Sequence, residues 1–232
     1  MQIAAILLAR AIAFFEVLDL APPGGLFLPD VTRELVQRFD FQKYPKTYDE
    51  WTNEKGAEYL AGRWGKTSVD RLVLFNNGIQ LDTHAGTAES RRIIEETLEW
   101  ANEKFGFRFT KGFITRWAYV SNLSFLTQVT ILSTRPLENL AQRTTRALSE
   151  TAGTQLTYVP TVQTIGHDPL IIKWGRSPFS IQRRLDVPFS ENKYFSEAPL
   201  PTDVHIELLR NFEADVMADL QRTDSPSETR KA

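Results

Sequence analysis

The chain of 232 residues contains no cysteine. Disulfides, thiolate metal sites, iron–sulfur clusters and cysteine nucleophiles are excluded together. Histidine is scarce, with 3 residues, so a histidine-rich metal centre is not expected and no metal or cofactor is implied. Long apolar runs are missing too: residues 3–9 form a short one that Arg10 ends, whereas a membrane span needs about 20. Residues 1–13 lack the positive flank of a signal peptide. A cytoplasmic protein without membrane contact is therefore expected. Charge of one sign is absent as well: 27 basic residues face 29 acidic ones, for a net charge of -2, so no overall basic field invites nucleic acid. Also missing are a Gly-x-Gly-x-x-Gly turn, a phosphate loop, His-Glu-x-x-His and Gly-x-Ser-x-Gly. No catalytic residue is fixed by motif.

What remains is ordinary globular composition, 42% hydrophobic and 24% charged. The length suits one large domain. Residues 11–20 read as a strand stopped by Pro22-Pro23-Gly24-Gly25. Pro29 and Asp30 open a helix in which Val31, Leu35 and Phe39 recur at helical spacing. Residues 58–64 and 69–75 read as strands. Asn77-Gly78 lies between two alternating runs and predicts a type I′ hairpin. The clearest helix spans 89–105, with Ile94, Leu98, Ala101 and Phe105 on one face and Gly106 as its stop. Residues 113–120 and 125–132 look like an antiparallel pair. A second helix follows Pro136, with Leu137, Leu140, Ala141, Thr144, Leu148 and Thr151 sharing a face. Residues 155–184 are strand-like. Thr202 caps a last helix with an apolar stripe of Leu208, Leu209, Phe212, Val216 and Leu220.

Neighbouring strands interrupted by single helices favour an α+β fold: a curved, mainly antiparallel sheet of meander and hairpins, with three main helices packed on one face. One domain over 1–222 is expected. Residues 186–201, carrying Pro188, Pro199 and Pro201, read as an extended arm without a regular ladder, and 223–232 as a disordered tail.

Counting outward from Asn77-Gly78 places Val73 opposite Asp82 and Arg71 opposite His84. Leu72, Leu74, Ile79 and Leu81 then share one face. Arg71, Asp82 and His84 gather on the other, where a histidine between a carboxylate and an arginine could act as acid or base. A solvated sheet face with cross-strand ion pairs is the plainer expectation. His205 falls on or beside the last helix's buried stripe and is expected to bond backbone or a neighbouring strand. His167-Asp168 reads as a turn. Glu95, Glu96, Glu99 and Glu103 lack the histidine spacing of a di-iron helix and read as a wet face.

Arginine outnumbers lysine eighteen to nine. Its planar fork suits interfaces, phosphates and aromatic faces. Arg116, Trp117, Trp174, Arg176, Arg183 and Arg184 combine cations with aromatics, and Tyr194 and Phe195 sit in the arm. Together they point to a non-enzymatic protein that binds another macromolecule, with self-association as a homo-oligomer. A small-molecule enzyme or sensor using Arg71, Asp82 and His84 is one alternative. Single-stranded nucleic-acid binding through the Arg/Trp residues is the other, disfavoured by the net charge.

Overall fold

The computed structural model describes residues 1–16, 20–22, 25, 27–52, 54–132, 134–152, 157–166 and 177–224. In chain order its elements are β1 (Gln2–Phe14), α1 (Leu28–Phe39), α2 (Tyr48–Trp51), β2 (Ala57–Trp64), β3 (Thr67–Phe75), β4 (Gly78–Thr83), α3 (Thr87–Phe105), β5 (Arg116–Leu126), α4 (Arg135–Ala152), β6 (Val162–Ile165), β7 (Phe179–Arg183), β8 (Lys193–Ala198) and α5 (Thr202–Asp224). The strands form one open antiparallel sheet in the order β2-β3-β4-β1-β5-β8-β7-β6, and with the helices this is the α+β class that the alternation of segments indicates. Among the described residues no helix is long and apolar enough to cross a membrane. By contacts the chain divides into two compact units.

One unit comprises Ile6–Asn122 and Ala198–His205. Its core lies on one face of β1 to β4. Leu72 pairs with Leu81 and Leu74 with Ile79, so all four project to the same side. Tyr59, Leu35, Phe39, Ile93, Ile94 and Leu98 join them in one cluster. Each side chain of this kind contributes about 1.5–3 kcal/mol by leaving water. Phe39, at the end of α1, is sealed between the Phe41 ring at 4.9 Å and the Trp64 ring at 4.7 Å. Ala9, Ala11 and Ala13 keep β1 thin where α3 crosses: Ser90 Oγ donates to the Ala9 carbonyl at 2.7 Å. Gly106, in the left-handed region at φ 68°, ends α3 where the sequence places its stop.

The hairpin between β3 and β4 differs from the expected one. Phe75 pairs with Gly78, which makes Asn76-Asn77 the two-residue loop. Neither asparagine has a positive φ, so the turn is not type I′. Gly78 is drawn into the ladder because it pairs on both sides, with Phe75 of β3 and Phe14 of β1. Its φ is 156°, and an added Cβ would stand 2.3 Å from the Ala13 carbonyl oxygen. Gly78→Ala is therefore expected to cost about 2 kcal/mol or more, read as a lower urea midpoint with an unchanged slope.

Two helix starts in this unit cap each other. The Thr87 N–H donates to Thr202 Oγ1 at 3.1 Å, and the Thr202 N–H donates to Thr87 Oγ1 at 2.8 Å. Each hydroxyl thus satisfies an orphan donor of the other helix. One turn along α5, His205 is fully buried and meets Ser121 of β5, with Oγ and Nδ1 2.5 Å apart.

The other unit comprises Met1–Ala5, Leu123–Glu197 and Ile206–Ala232. Here β6, β7 and β8 form an antiparallel ladder, with Arg183 opposite Tyr194 and Val162 opposite Gln182. The segment expected to be an unladdered arm contains β8, a strand lying between β5 and β7. Its prolines fall outside that strand, and Tyr194, Ser196 and Ala198 alternate into the interior. Residues 113–132, expected as two strands, carry the single strand β5 instead, because the small polar residues Ser121 and Ser124 are buried within it and make no turn. The tail expected from 223 onward lies outside the described residues from 225, and α5 continues through Asp224.

Candidate functional site

The polar side of β3 and β4 carries the residues singled out as an acid–base cluster. Arg71 pairs in register with Asp82, and Val73 with Gln80, so the expected face is present with partners shifted by two residues. The ladder shifts between Val69 and Arg71. Each member of the cluster has a separate partner. Asp82, 4% exposed, accepts from Arg10 of β1 in a bidentate pair, Nε to Oδ1 at 2.8 Å and Nη2 to Oδ2 at 2.7 Å. The Gln80 side-chain amide adds a longer contact at 3.2 Å. Arg71 turns to Glu58 of β2 at 2.5 Å. His84 turns to Asp70 at 2.7 Å, and both side chains are about half exposed. The three residues therefore do not converge on one point. They belong to a row of polar cross-strand contacts, two of them ion pairs and the third a histidine–carboxylate contact. Arg10, which ends the first apolar run but lies within β1, is the partner that the hairpin alone did not reveal.

The Arg and aromatic candidates among the described residues are likewise committed within the fold. Arg116 lies over the Phe14 ring at 4.3 Å, and Trp117 receives the Arg91 guanidinium at 4.8 Å. Arg184 forms a fork with Asp186, at 2.9 and 2.8 Å, which pulls that carboxyl down to about 2. Arg183 is 6% exposed. Its Nη1 donates to the Phe189 carbonyl at 2.9 Å and its Nη2 to Thr130 Oγ1 at 3.2 Å, while the Phe189 and Tyr194 rings each lie 5.2 Å away. Thr130 in turn donates to Asn192 Oδ1 at 3.1 Å, and the Ile131 N–H reaches the Tyr194 hydroxyl. This knot ties the 127–132 loop to the turn before β8. Phe195 is half-buried opposite Gln182. Trp174, Arg176 and the His167-Asp168 pair lie outside the described residues.

A serine hydroxyl against an imidazole, as at Ser121 and His205, is the contact by which a nucleophile is activated. Both residues are 0% exposed, so no substrate reaches them. Burial pushes the imidazole down to about 4, against an opposing pull from Ser121. Its role is to sit neutral in the interior. Among the described residues no three acidic or histidine side chains are placed to hold a metal ion.

One surface stands apart from these closed networks. Along α4 no described residue is buried. Leu137, Leu140 and Leu148, on the helix's single apolar face, are 44%, 60% and 37% exposed. The segment leading into β6 is held to this helix, with the Tyr158 N–H donating to Thr145 Oγ1 at 2.9 Å. Tyr158, Val162 and Ile165 are exposed as well. β6 ends the sheet, pairs among the described residues with β7 alone, and carries no charge in its sequence Val-Gln-Thr-Ile. Natural edge strands are usually protected by charge, proline or a bulge. The helical spacing of the leucines was legible; that nothing in the described fold covers them was not.

No protein-family model matches this sequence, and no curated protein is similar to it.

Proposed function

We propose that the protein is a non-enzymatic binding protein that acts by associating with other polypeptide chains, in the first place with copies of itself through α4 and the β6 edge. The observation that carries this reading is the uncovered apolar face of α4 beside an uncharged terminal strand. An amphipathic helix gains most of its stability by burying that face, so three leucines left in water favour a partner that covers them. The β6 sequence sets no charge against itself. In an antiparallel pair about a two-fold axis, opposed residues share a face, so Gln163 stands opposite Gln163 of a second copy and Val162 opposite Thr164.

The test is the oligomeric state of the full chain by sedimentation velocity across a concentration series. Self-association that strengthens with concentration is expected. Leu140→Glu combined with Val162→Lys is expected to leave a monomer with the wild-type circular dichroism spectrum. A wild-type chain that stays monomeric at the highest concentration, or a double variant that associates as tightly as wild type, overturns the proposal.

A further inference from the structure

We infer that the unit built on β1 to β4 contains a second, unrelated site: a largely apolar pocket that takes a small uncharged aromatic molecule carrying one hydrogen-bond acceptor. The cavity has a volume of about 260 Å³ and opens between the core face of the sheet and helices α1 and α3. Leu35 of α1, Tyr59 of β2, Ile79 of β4, and Leu98 and Trp100 of α3 form its walls. Protein interiors are packed as densely as organic crystals and hold few voids larger than a water molecule. A void of this size stands out beside a core in which Tyr59, Leu72, Ile79, Leu81, Ile93 and Ile94 are sealed. An apolar cavity of about 150 Å³ already admits benzene, so this one has room for a molecule of one to two rings.

The polarity of the lining narrows the ligand class. Among the described residues no Lys, Arg, Asp, Glu or His lines it. A charged ligand would lose its hydration without gaining a counter-charge, which excludes carboxylates, phosphates and amines. Of the polar side chains at the wall, Thr97 Oγ1 donates to the Ile93 carbonyl and Thr52 Oγ1 to the Tyr48 carbonyl, and Asn76 sits in the turn between β3 and β4. Tyr59 and Thr32 are hydrogen-bonded to each other at 2.9 Å, so they satisfy one another. Trp51, on the short helix α2, also lines the cavity, and its indole Nε1 is buried with no hydrogen-bond partner. A buried donor without an acceptor is rare in native structures and costs stability until one arrives. A ligand carbonyl or ether oxygen supplies it, and the ring surfaces of the wall supply the rest. The pocket shares no residue with α4 or β6 and is independent of self-association through them.

Three probes of equal ring size test the inference on the full-length protein: 1-acetonaphthone, naphthalene and 1-naphthoate. Tryptophan fluorescence quenching and calorimetric Tm are the readouts, since a ligand that binds only the folded state raises Tm. Saturable binding of 1-acetonaphthone is expected, with naphthalene about fivefold weaker for want of the acceptor and 1-naphthoate not bound. Ala101→Phe, which fills the cavity from α3, is expected to abolish binding. Trp51→Phe keeps a ring and removes the donor; it is expected to bring 1-acetonaphthone down to the level of naphthalene while naphthalene itself is unchanged. Failure of all three probes to bind wild type overturns the site. So does a folded Ala101→Phe protein that binds as wild type does. Equal binding of 1-naphthoate overturns the ligand class, and a Trp51→Phe protein that still prefers the ketone overturns the role of the indole. If Ala101→Phe does not fold, the Trp51→Phe comparison decides alone.

Discussion

Asp82→Ala is expected to lower folding stability by about 3 kcal/mol. The reason lies in what is left behind. Arg10 and Asp82 face each other in register on β1 and β4. The carboxylate is almost sealed, and the guanidinium side chain keeps 27% of its exposure. Removing the carboxylate takes both acceptors of the fork from a guanidinium within the sheet, and two donors that pointed at oxygens now point at a methyl group. The partial exposure of Arg10 lets water reach it and holds the cost toward the lower end of what a broken buried pair incurs. The opposite change tests the same physics. Arg10→Met combined with Asp82→Leu removes both charges and is expected to return most of the loss, because a buried pair replaced by apolar residues of similar volume is close to neutral. Chemical denaturation of wild type, both single variants and the double variant closes the cycle. A coupling free energy near zero would show that the fork contributes no specific interaction.

Stability is also expected to fall steeply as pH drops from about 6.5 to about 4, with His205 a principal cause. Burial holds its pKa at about 4 in the fold, against an ordinary value of 6.5. Above pH 6.5 both folded and unfolded chains carry a neutral imidazole, and the group is silent. Below it the unfolded chain binds a proton that the folded chain refuses, so the equilibrium moves toward unfolding. The loss is complete near pH 4, where the folded form also protonates, and amounts to about 3 kcal/mol over that window. Carboxylates titrate in the same range and blur the slope in wild type. His205→Asn isolates the histidine contribution, since the amide occupies the place of Nδ1 beside Ser121 and does not titrate. Urea midpoints measured from pH 4.5 to 7.5 should show a flatter dependence in the variant. Identical slopes in the two proteins would remove His205 as the cause.

These two sites show where sequence was informative and where it was not. The apolar face of the β3–β4 hairpin was legible although the exact partners were not. Moving the loop from Asn77-Gly78 to Asn76-Asn77 shifts each pairing by two residues, which preserves the side on which every residue lies. Leu72, Leu74, Ile79 and Leu81 therefore stayed together, whereas Asp82 found Arg10 and His84 found Asp70. The hairpin could not announce this because Gly78 is fixed by a third strand that arrives from the start of the chain. In α5 hydrophobicity pointed to Leu208, Leu209, Phe212, Val216 and Leu220. The buried line is Thr202, His205, Leu209 and Glu213. Polar residues occupy it because each has a specific partner: Thr87 for Thr202, Ser121 for His205, and the Gln128 N–H for Glu213. Pairings of that kind depend on distant chain segments and leave no periodic trace. The helix over 89–105 was legible for the converse reason. Its interior residues Ile94, Leu98 and Ala101 are apolar and its stop is a glycine in the conformation that glycine permits. The arginine bias was real, but most of its members serve aromatic rings and carboxylates of their own fold.

The mutual capping of α3 and α5 bears on how the chain reaches this state. Thr87 and Thr202 are 115 residues apart in sequence. Neither helix holds its native cap until the other is in place, so the first turn of each matures only when the two meet. Bringing two such distant points together carries a loop-closure penalty before any contact compensates for it. The handshake therefore belongs to the final docking of the chain, after the hairpins and α3 have condensed. Contacts made that late govern how fast the folded molecule comes apart and leave its rate of assembly nearly untouched. Two threonine hydroxyls thus act as a latch on the lifetime of the native state.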